Sequence, residues 1–309
     1  MVLDFKGLNS DYLDYDPFRL GLGPSKIALR KLEFHKEKSQ DRERVFQVDP
    51  EFYTLYHDSK TKMRKDHPEL FYHSNINEKT LERISEYLLN LLSKEYPHFF
   101  EYQKREGSHF VNNKIINKES SFEREKNHFI DLFDFFAMNV QEDFALVNVS
   151  HSHLTTDLIH LSHPNEWTAK WGIGKTFDEL HLRIQDIDKV IKYPEKVFMR
   201  IKDQNFQFER LGAMTLTTWP NILRLPEYEE KPLAEDQRIY LRFERQTLSY
   251  IPETDYLLFT IRPYIKDFTK EIKNQLSYDE LKYFRDHKNR YQWFIKKNFK
   301  ELETIINSQ

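Results

Sequence analysis

Five histidines fall within the 31 residues from 151 to 181, and an imidazole can bind a metal or carry a proton near neutral pH. They are His151, His153, His160, His163 and His181. His151 and His153 lie in a predicted turn, where polar surface residues are the ordinary interpretation. His181 lies in the apolar-flanked stretch 177–182, so it is either a ligand or a hydrogen-bonded core histidine. Residue type alone leaves both interpretations open.

Two arginines occupy positions where the strand pattern predicts core. Along residues 239–247 the alternation of a strand puts Arg245 on the same face as Leu241 and Phe243. Arg262 ends the next alternating stretch in the same way. A buried, unpaired charge is expensive, so each guanidinium needs an anionic partner. That partner is either a carboxylate of the protein or a ligand.

Residues 169–176 satisfy a loose phosphate-loop pattern, with Ala169 in place of the first glycine. Such a loop needs a buried strand leading directly into it, and Pro164-Asn165-Glu166 is no strand. We therefore favour a tight loop leading into a helix. Nucleotide binding is the competing interpretation, and it predicts an ATP affinity that Lys175→Ala abolishes.

Composition excludes several classes of chemistry. The chain has no cysteine, which rules out disulfides, thiolate-ligated haem and cysteine-bound iron–sulfur clusters. Its 47 basic and 50 acidic residues are interspersed, so we expect no nucleic-acid partner. The N-terminus lacks the apolar segment of a signal peptide, and no stretch approaches 18 apolar residues. We expect a cytoplasmic protein without a membrane segment.

The periodicity predicts an α+β fold, with an antiparallel sheet flanked by N- and C-terminal helices. Helices are expected at about 50–66, from Asn77 to Tyr96 and at 125–139, with a polar loop at 104–124. We treat 1–309 as a single domain: 1–140 mainly helical, 141–265 rich in sheet and 266–309 helical. The expected strands are 144–149, 155–161, a hairpin from Val197 through Phe208, and a hairpin of 239–243 and 257–261 around the loop 249–255.

Several motifs closely resemble the haem-dependent oxidative N-demethylase alpha-subunit family, over roughly residues 20–290. That family carries R-x-E-R-Q-T-L, L-P and F-T-I-R-x-Y in succession, a Q-E-D segment, a W-x6-G-x6-I-H spacing and a V-D-x-x-Y…K region. The matching residues here are Arg242-Phe243-Glu244-Arg245-Gln246-Thr247-Leu248, Ile251-Pro252, Phe259-Thr260-Ile261-Arg262-Pro263-Tyr264, Gln141-Glu142-Asp143, Trp167 with Gly174 and His181, and Val48-Asp49-Pro50 through Lys60.

The resemblance implies a PAS-like sheet that holds haem b through a histidine. It also implies removal of an N-methyl group from a small secondary amine such as dimethylamine, using O2. Electrons would come from NADPH through a separate flavin and iron–sulfur reductase subunit, which suits a chain without cysteines or a dinucleotide-binding Gly-x-Gly-x-x-Gly motif. A haem or small-ligand sensor on the same scaffold is the alternative.

The resemblance also assigns roles to residues. His181 is the expected iron ligand, and the haem propionates would pair with Arg245 or Arg262. Other positions of the matching motifs are expected to bind the cofactor, and two aromatic residues are nominated for the distal side. These are Gln246, Thr247 and Trp167 for the cofactor, and Tyr264 and Trp219 for catalysis.

The chain departs from the family pattern at three places. After the histidine the family reads H-x-P-V-P, whereas this chain has Leu182-Arg183-Ile184-Gln185. Gly172 replaces a family lysine, and of the family's R-x-N-W only Trp219 remains. These positions are expected to shape the pocket, so the identity of the amine is left open.

Overall fold

The computed structural model describes residues 30–32, 44–123, 128–150, 154–163, 167–181, 194–204, 207–217, 239–268, 278–286 and 292–308. Its helices are α1 (Tyr53–Asp66), α2 (Pro68–Phe71), α3 (Glu78–Glu95), α4 (Leu132–Ala137), α5 (Ala169–Gly172), α6 (Phe177–His181), α7 (Pro194–Gln204), α8 (Tyr278–Asp286) and α9 (Gln292–Asn307). Its strands are β1 (Arg30–Leu32), β2 (Tyr72–Ser74), β3 (Phe100–Arg105), β4 (Ser108–Asn113), β5 (Lys118–Phe122), β6 (Asp143–Asn148), β7 (Thr155–His160), β8 (Gln207–Thr217), β9 (Tyr240–Tyr250) and β10 (Tyr256–Asp267).

Within the described residues, seven strands form one antiparallel sheet in the order β1-β8-β9-β10-β6-β7-β2. The expected α+β class is confirmed. The long hairpin of β9 and β10 lies at the centre, and its register pairs Leu257 with Tyr250 and Asp267 with Tyr240. Both strands extend beyond the stretches that the sequence predicts, and β10 occupies residues 266 and 267, where we expected helix.

The two sides of this sheet carry different side chains, and we call them face 1 and face 2. Face 1 carries Phe243, Arg245 and Thr247 of β9 and packs against residues 44–49, α1, α3 and α4. Face 2 carries Arg242, Glu244, Gln246 and Leu248, and packs against α5, α6 and α7. The alternation of side chains along a strand produces this division.

The N-terminal helices follow their sequence signals closely. Asn77 caps α3, with its Oδ1 accepting a hydrogen bond of 3.0 Å from the backbone N–H of Thr80. The apolar stripe of α3 is buried as its spacing predicts, with Leu81, Ile84 and Leu88 at 5 % exposure or less. Helix α1 also lies where expected. Helix α4 is shorter than the predicted 125–139.

The expected polar loop at 104–124 was wrong, because β3, β4 and β5 form a second antiparallel sheet there. Residues of β4 alternate strictly between buried and half-buried, but the buried positions include His109 and Asn113, which do not look like core. Glu106 and Gly107 both have positive φ, 38° and 83°, as a two-residue hairpin turn requires. The described part of residues 44–140 therefore contains strands as well as helices.

The predicted strand at Val197–Ile201 was also wrong, because these residues lie in α7. Phe198 and Ile201 are three positions apart and pack against Leu248 and Leu257 of face 2, whereas Met199 is 41 % exposed. Helical spacing therefore describes this segment better than alternation. Among the described residues, no helix is both long enough and apolar enough to cross a bilayer.

Candidate functional site

Four segments that are distant in sequence bring charged and phenolic side chains together on face 1. We call this group the buried polar cluster. Each member is at most 4 % exposed, although most are residues that normally lie at the surface. The members are Asp49, Tyr56, Lys60, Glu142, Arg245, Arg262 and Tyr264.

Arg262 lies in the middle of the buried polar cluster. Its guanidinium carbon is 3.7 Å from the centre of the Tyr56 ring and 5.2 Å from that of Tyr264. Burial acts to lower its pKa, but the surrounding Tyr56, Tyr264, Glu142 and Asp49 raise the pKa overall. Arg262 therefore stays charged, held by aromatic faces and by two carboxyl groups.

Several polar atoms of this cluster make no hydrogen bond within the described part of the chain. They are Nε and Nη1 of Arg262, Oε2 of Glu142 and Oδ2 of Asp49, all of them buried. Buried polar atoms of native proteins are normally bonded to protein, ordered water or a ligand. The cluster therefore has the chemistry to hold water or a small polar molecule.

Lys60 and Glu142 connect α1 to the start of β6. Lys60 Nζ donates to the carbonyl oxygen of Ala137 at 2.8 Å and to that of Glu142. Burial lowers the Lys60 pKa to about 8, opposed by the nearby Asp143 and Glu142. Burial also raises the pKa of the Glu142 carboxyl, against the pull of Arg262, and Glu142 Oε1 accepts from the Gln47 N–H at 2.6 Å.

Arg245 and Thr247 find partners inside the protein. Arg245 donates to the carbonyl oxygens of Val45 at 3.1 Å and Arg44 at 2.9 Å. The Thr247 hydroxyl lies 2.6 Å from that of Thr260 on the neighbouring strand. Tyr264 donates to Gln47 Oε1 and stacks on Phe243, with ring centres 5.2 Å apart.

Face 2 carries a second polar row, along β9. Glu244 accepts from Arg242 Nη1 at 2.7 Å and from Gln246 Nε2 at 2.8 Å. Arg242 Nη2 donates to the carbonyl oxygen of His163 at 3.2 Å, whereas its buried Nε makes no hydrogen bond within the described residues. Because Arg242, Glu244 and Gln246 are two positions apart, they line one side of the strand.

A paired histidine and aspartate lie beside Arg242 of this row and beside Tyr56 of the buried polar cluster, whose ring centre is 5.2 Å from that of His163. The sequence motifs gave His163 no role. His163 Nδ1 is 3.2 Å from Asp143 Oδ1, and its Nε2 is buried without a hydrogen-bond partner in the described chain. Burial lowers the His163 pKa, so the imidazole is neutral at pH 7. Metal-binding histidines and general bases share this arrangement, in which a carboxylate orients the ring and leaves the outer nitrogen free. The sequence alone does not show this pair, because the pairing of neighbouring strands brings Asp143 to His163.

His181 and Trp167 lie in the helical layer over face 2. Helix α6 begins with a capping box, in which Glu179 Oε2 accepts from the Thr176 N–H at 2.8 Å. His181 is half-buried, with its ring 4.0 Å from that of Phe177 and its Nδ1 2.6 Å from the Phe177 carbonyl oxygen. Trp167 packs against an apolar group on the same side. Trp219 lies outside the described residues.

The structure thus divides the predicted site residues between the two faces. His181, Trp167 and Gln246 belong to face 2, whereas four others belong to face 1. The continuous sheet lies between the two sets, so one flat ligand cannot contact both. The four on face 1 are Arg245, Thr247, Arg262 and Tyr264.

A cavity of about 460 Å³ opens between α1 and the three-stranded sheet. None of the predicted site residues that the structure describes lines it. Its walls include Arg64, Lys65 and Lys118 together with two histidines, and no carboxylate. A pocket with this charge repels an ammonium ion, so it is a poor site for a methylated amine.

These features define an α+β protein whose antiparallel sheet has a buried polar cluster on one face and an imidazole-bearing helical layer on the other. A family model described as "Haem-dependent oxidative N-demethylase, alpha subunit-like" matches residues 36–296. This match covers most of the chain. The protein belongs to this family, as the sequence motifs predicted, and the family name itself points to a partner subunit.

The side chains of face 2 fit the haem that the family name implies. The helical layer supplies the imidazole of His181 and the indole of Trp167, and the sheet supplies Gln246. Arg242 adds a guanidinium whose Nε makes no hydrogen bond among the described residues. An imidazole, apolar surfaces and a cation are side chains of the kinds that would hold a haem and its propionates.

Proposed function

We propose that this protein is a haem-dependent oxidoreductase that removes an N-methyl group from a small methylated amine. The family match over residues 36–296 is the observation that carries this proposal. For dimethylamine the balanced reaction converts the amine, one O2, two electrons and two protons into methylamine, formaldehyde and water. We further propose a cytoplasmic protein of one domain that receives electrons from a separate NADPH-dependent flavin and iron–sulfur subunit.

The haem b site is proposed on face 2, under α5, α6 and α7. His181 would provide an imidazole ligand, Trp167 an apolar wall and Gln246 a polar contact. When bound, the haem supplies the iron chemistry that activates O2. The five strands β6 to β10 have the order β7-β6-β10-β9-β8. The last of them along the chain, β10, pairs with the first, β6, and this supports the PAS-like description of the sheet.

The assignment of arginines changes with this placement. Arg242 is the guanidinium on the proposed haem face, and its Nε has no hydrogen-bond partner in the described chain. Arg245 and Arg262 were expected to pair with propionates, but they lie on face 1 near Glu142. We propose that they stabilise the buried polar cluster on face 1, the side of the sheet opposite the proposed haem site. Tyr264 belongs to that cluster, and Trp219 stays a nominated distal residue.

The chain's own proton-handling group is proposed to be His163. Asp143 orients its ring and holds a proton at Nδ1, and the free Nε2 accepts a proton; the ring centre lies 5.2 Å from that of Tyr56. The neutral state that burial favours makes His163 a base at neutral pH.

Turnover of the haem-loaded chain tests this proposal. The chain is supplied with dimethylamine, O2, NADPH and a surrogate ferredoxin reductase with its ferredoxin, and formaldehyde is measured. Formaldehyde release in proportion to NADPH oxidation supports the enzyme. Haem uptake without formaldehyde, across a panel of mono-, di- and trimethylated amines, favours the sensor alternative. A chain that takes up no haem contradicts both.

A further inference from the structure

Three side chains of types that can bind a metal meet where α3 packs on the three-stranded sheet, and none of them belongs to face 1 or face 2. One ligand atom each from Glu82, Glu86 and His109 lies within 4.8 Å of the other two. Glu82 and Glu86 are one helical turn apart on α3, so their carboxylates share one side of the helix. His109 projects from β4, the central strand of the small sheet.

His109 is only 2 % exposed. Its Nδ1 lies 2.9 Å from the Tyr102 hydroxyl, and this contact orients the ring. Nε2 makes no hydrogen bond within the described chain. Burial lowers the His109 pKa, so the imidazole is neutral and able to bind a cation at neutral pH.

The two glutamates place two carboxylates one helical turn apart, close to the His109 ring. Like charges at this helical spacing repel one another. Lys104 pairs with Glu86. Burial raises the Tyr102 pKa, and the nearby Glu86 and Glu82 raise it further. A divalent cation would remove this repulsion.

We propose that Glu82, Glu86 and His109 form a binding site for a divalent transition metal such as Zn²⁺. His109 Nε2 and one oxygen from each glutamate are the ligands, with water completing the coordination. One nitrogen and two oxygens suit Zn²⁺ or Co²⁺ better than Ca²⁺ or Mg²⁺, which prefer oxygen alone. Zinc bonds of about 2.0–2.2 Å require the ligand atoms to approach by rotation of the glutamate side chains. The metal would join α3 to β4.

Calorimetric titration of the full-length, haem-loaded chain with ZnCl2 tests the site. The double variant Glu82→Gln with Glu86→Gln should lose one binding event, with affinity at that site falling at least tenfold. The matched control is Glu101→Gln with Glu119→Gln, two exposed acids of the same small sheet, which should bind Zn²⁺ like the unmodified chain. Tyr102→Phe should weaken binding by about tenfold through loss of ring orientation.

A further variant predicts a change in the opposite direction. Lys104→Ala removes the competing cation from Glu86 and should tighten Zn²⁺ binding. Zn²⁺ should also raise the unfolding temperature of the unmodified chain and the control, but not that of the double variant. Unchanged Zn²⁺ stoichiometry and affinity in the double variant, or no Zn²⁺ binding by the unmodified chain up to 1 mM, would overturn the proposal. Neither result bears on haem binding or turnover.

Discussion

Arg245 of β9 and Arg262 of β10 are directly opposed in the register of the central hairpin, and both are fully buried on face 1. Two like charges in this position repel one another unless acids lie nearby. Glu142 lowers this cost because it attracts both guanidinium groups, and Asp49 attracts Arg262. The anionic partner that the strand pattern required is therefore available within the protein.

Glu142→Gln should lower the free energy of unfolding on the order of 3 kcal/mol, because it leaves two buried guanidinium groups without their shared counter-charge. The amide can still accept a hydrogen bond from the Gln47 N–H, so the loss of stability measures the effect of removing the negative charge. Urea unfolding measures it. Glu119→Gln, at an exposed position, should change the value by less than about 0.5 kcal/mol. A similar small change in Glu142→Gln would show that the arginines are held by other groups.

Thr247 and Thr260 should be coupled in a double-mutant cycle. Either single change to valine leaves one buried hydroxyl unpaired and should cost about 1–3 kcal/mol of stability. The double variant should cost clearly less than the sum, with a coupling of at least about 1 kcal/mol. Haem affinity should not change, because both hydroxyls lie on face 1. Additive costs, or weaker haem binding in the double variant, would argue against this placement.

Asp143 should make stability fall in acid. Burial acts to raise its pKa, but His163, Lys60 and the Ser162 N–H outweigh burial and lower the pKa to about 2. The folded carboxylate therefore contributes stability that is fully present above about pH 4 and is lost as the pH falls towards 2. We expect Asp143→Asn to be less stable at pH 6 and to lose about 2 kcal/mol less than the unmodified chain between pH 6 and pH 2.

Urea unfolding across that pH range checks this prediction. Asp255→Asn, which removes an exposed carboxylate paired with Lys202, is the control and should keep the acid dependence of the unmodified chain. If Asp143→Asn loses as much stability in acid as the unmodified chain, protonation of Asp143 is not the cause of the loss, and the prediction is wrong.

Gly172→Ala should destabilise the helical layer over face 2. An added Cβ would lie 2.7 Å from Ile159 Cδ1 and 3.2 Å from the Trp167 ring, so packed side chains must move. A cost of about 1–3 kcal/mol is expected, with a change in Trp167 fluorescence. Lys170→Ala, at an exposed position of the same short helix, should have little effect. Equal stability of the two variants would mean that this layer adapts freely.

The sequence predicted those elements whose signals are local. The Asn77 cap and the apolar spacing of α3 are examples, and the central hairpin followed from alternation. The small sheet was missed because polar residues such as His109 and Asn113 fill its buried positions. The segment around Phe198 was misassigned because its few apolar residues fit the spacing of a strand as well as that of a helix. Its packing against Leu248 follows the helical spacing.

The candidate site was predictable only in part. The alternation of side chains along a strand correctly predicted that Arg245 is buried, and residues of the family motifs lie on both faces. The face on which each motif lies depends on the pairing of strands that are distant in sequence. The sequence alone therefore could not show that His181 and Arg262 lie on opposite faces. The pair formed by His163 and Asp143 depends on the same long-range register.

The absorption spectrum of the haem-reconstituted chain tests the central claim most directly, namely that haem binds on face 2 through His181. We predict a Soret band that shifts or collapses in His181→Ala and stays unchanged in His163→Ala and in Thr247→Val. An unchanged spectrum in His181→Ala, together with a shifted band in His163→Ala, would contradict the assignment and make His163 the ligand.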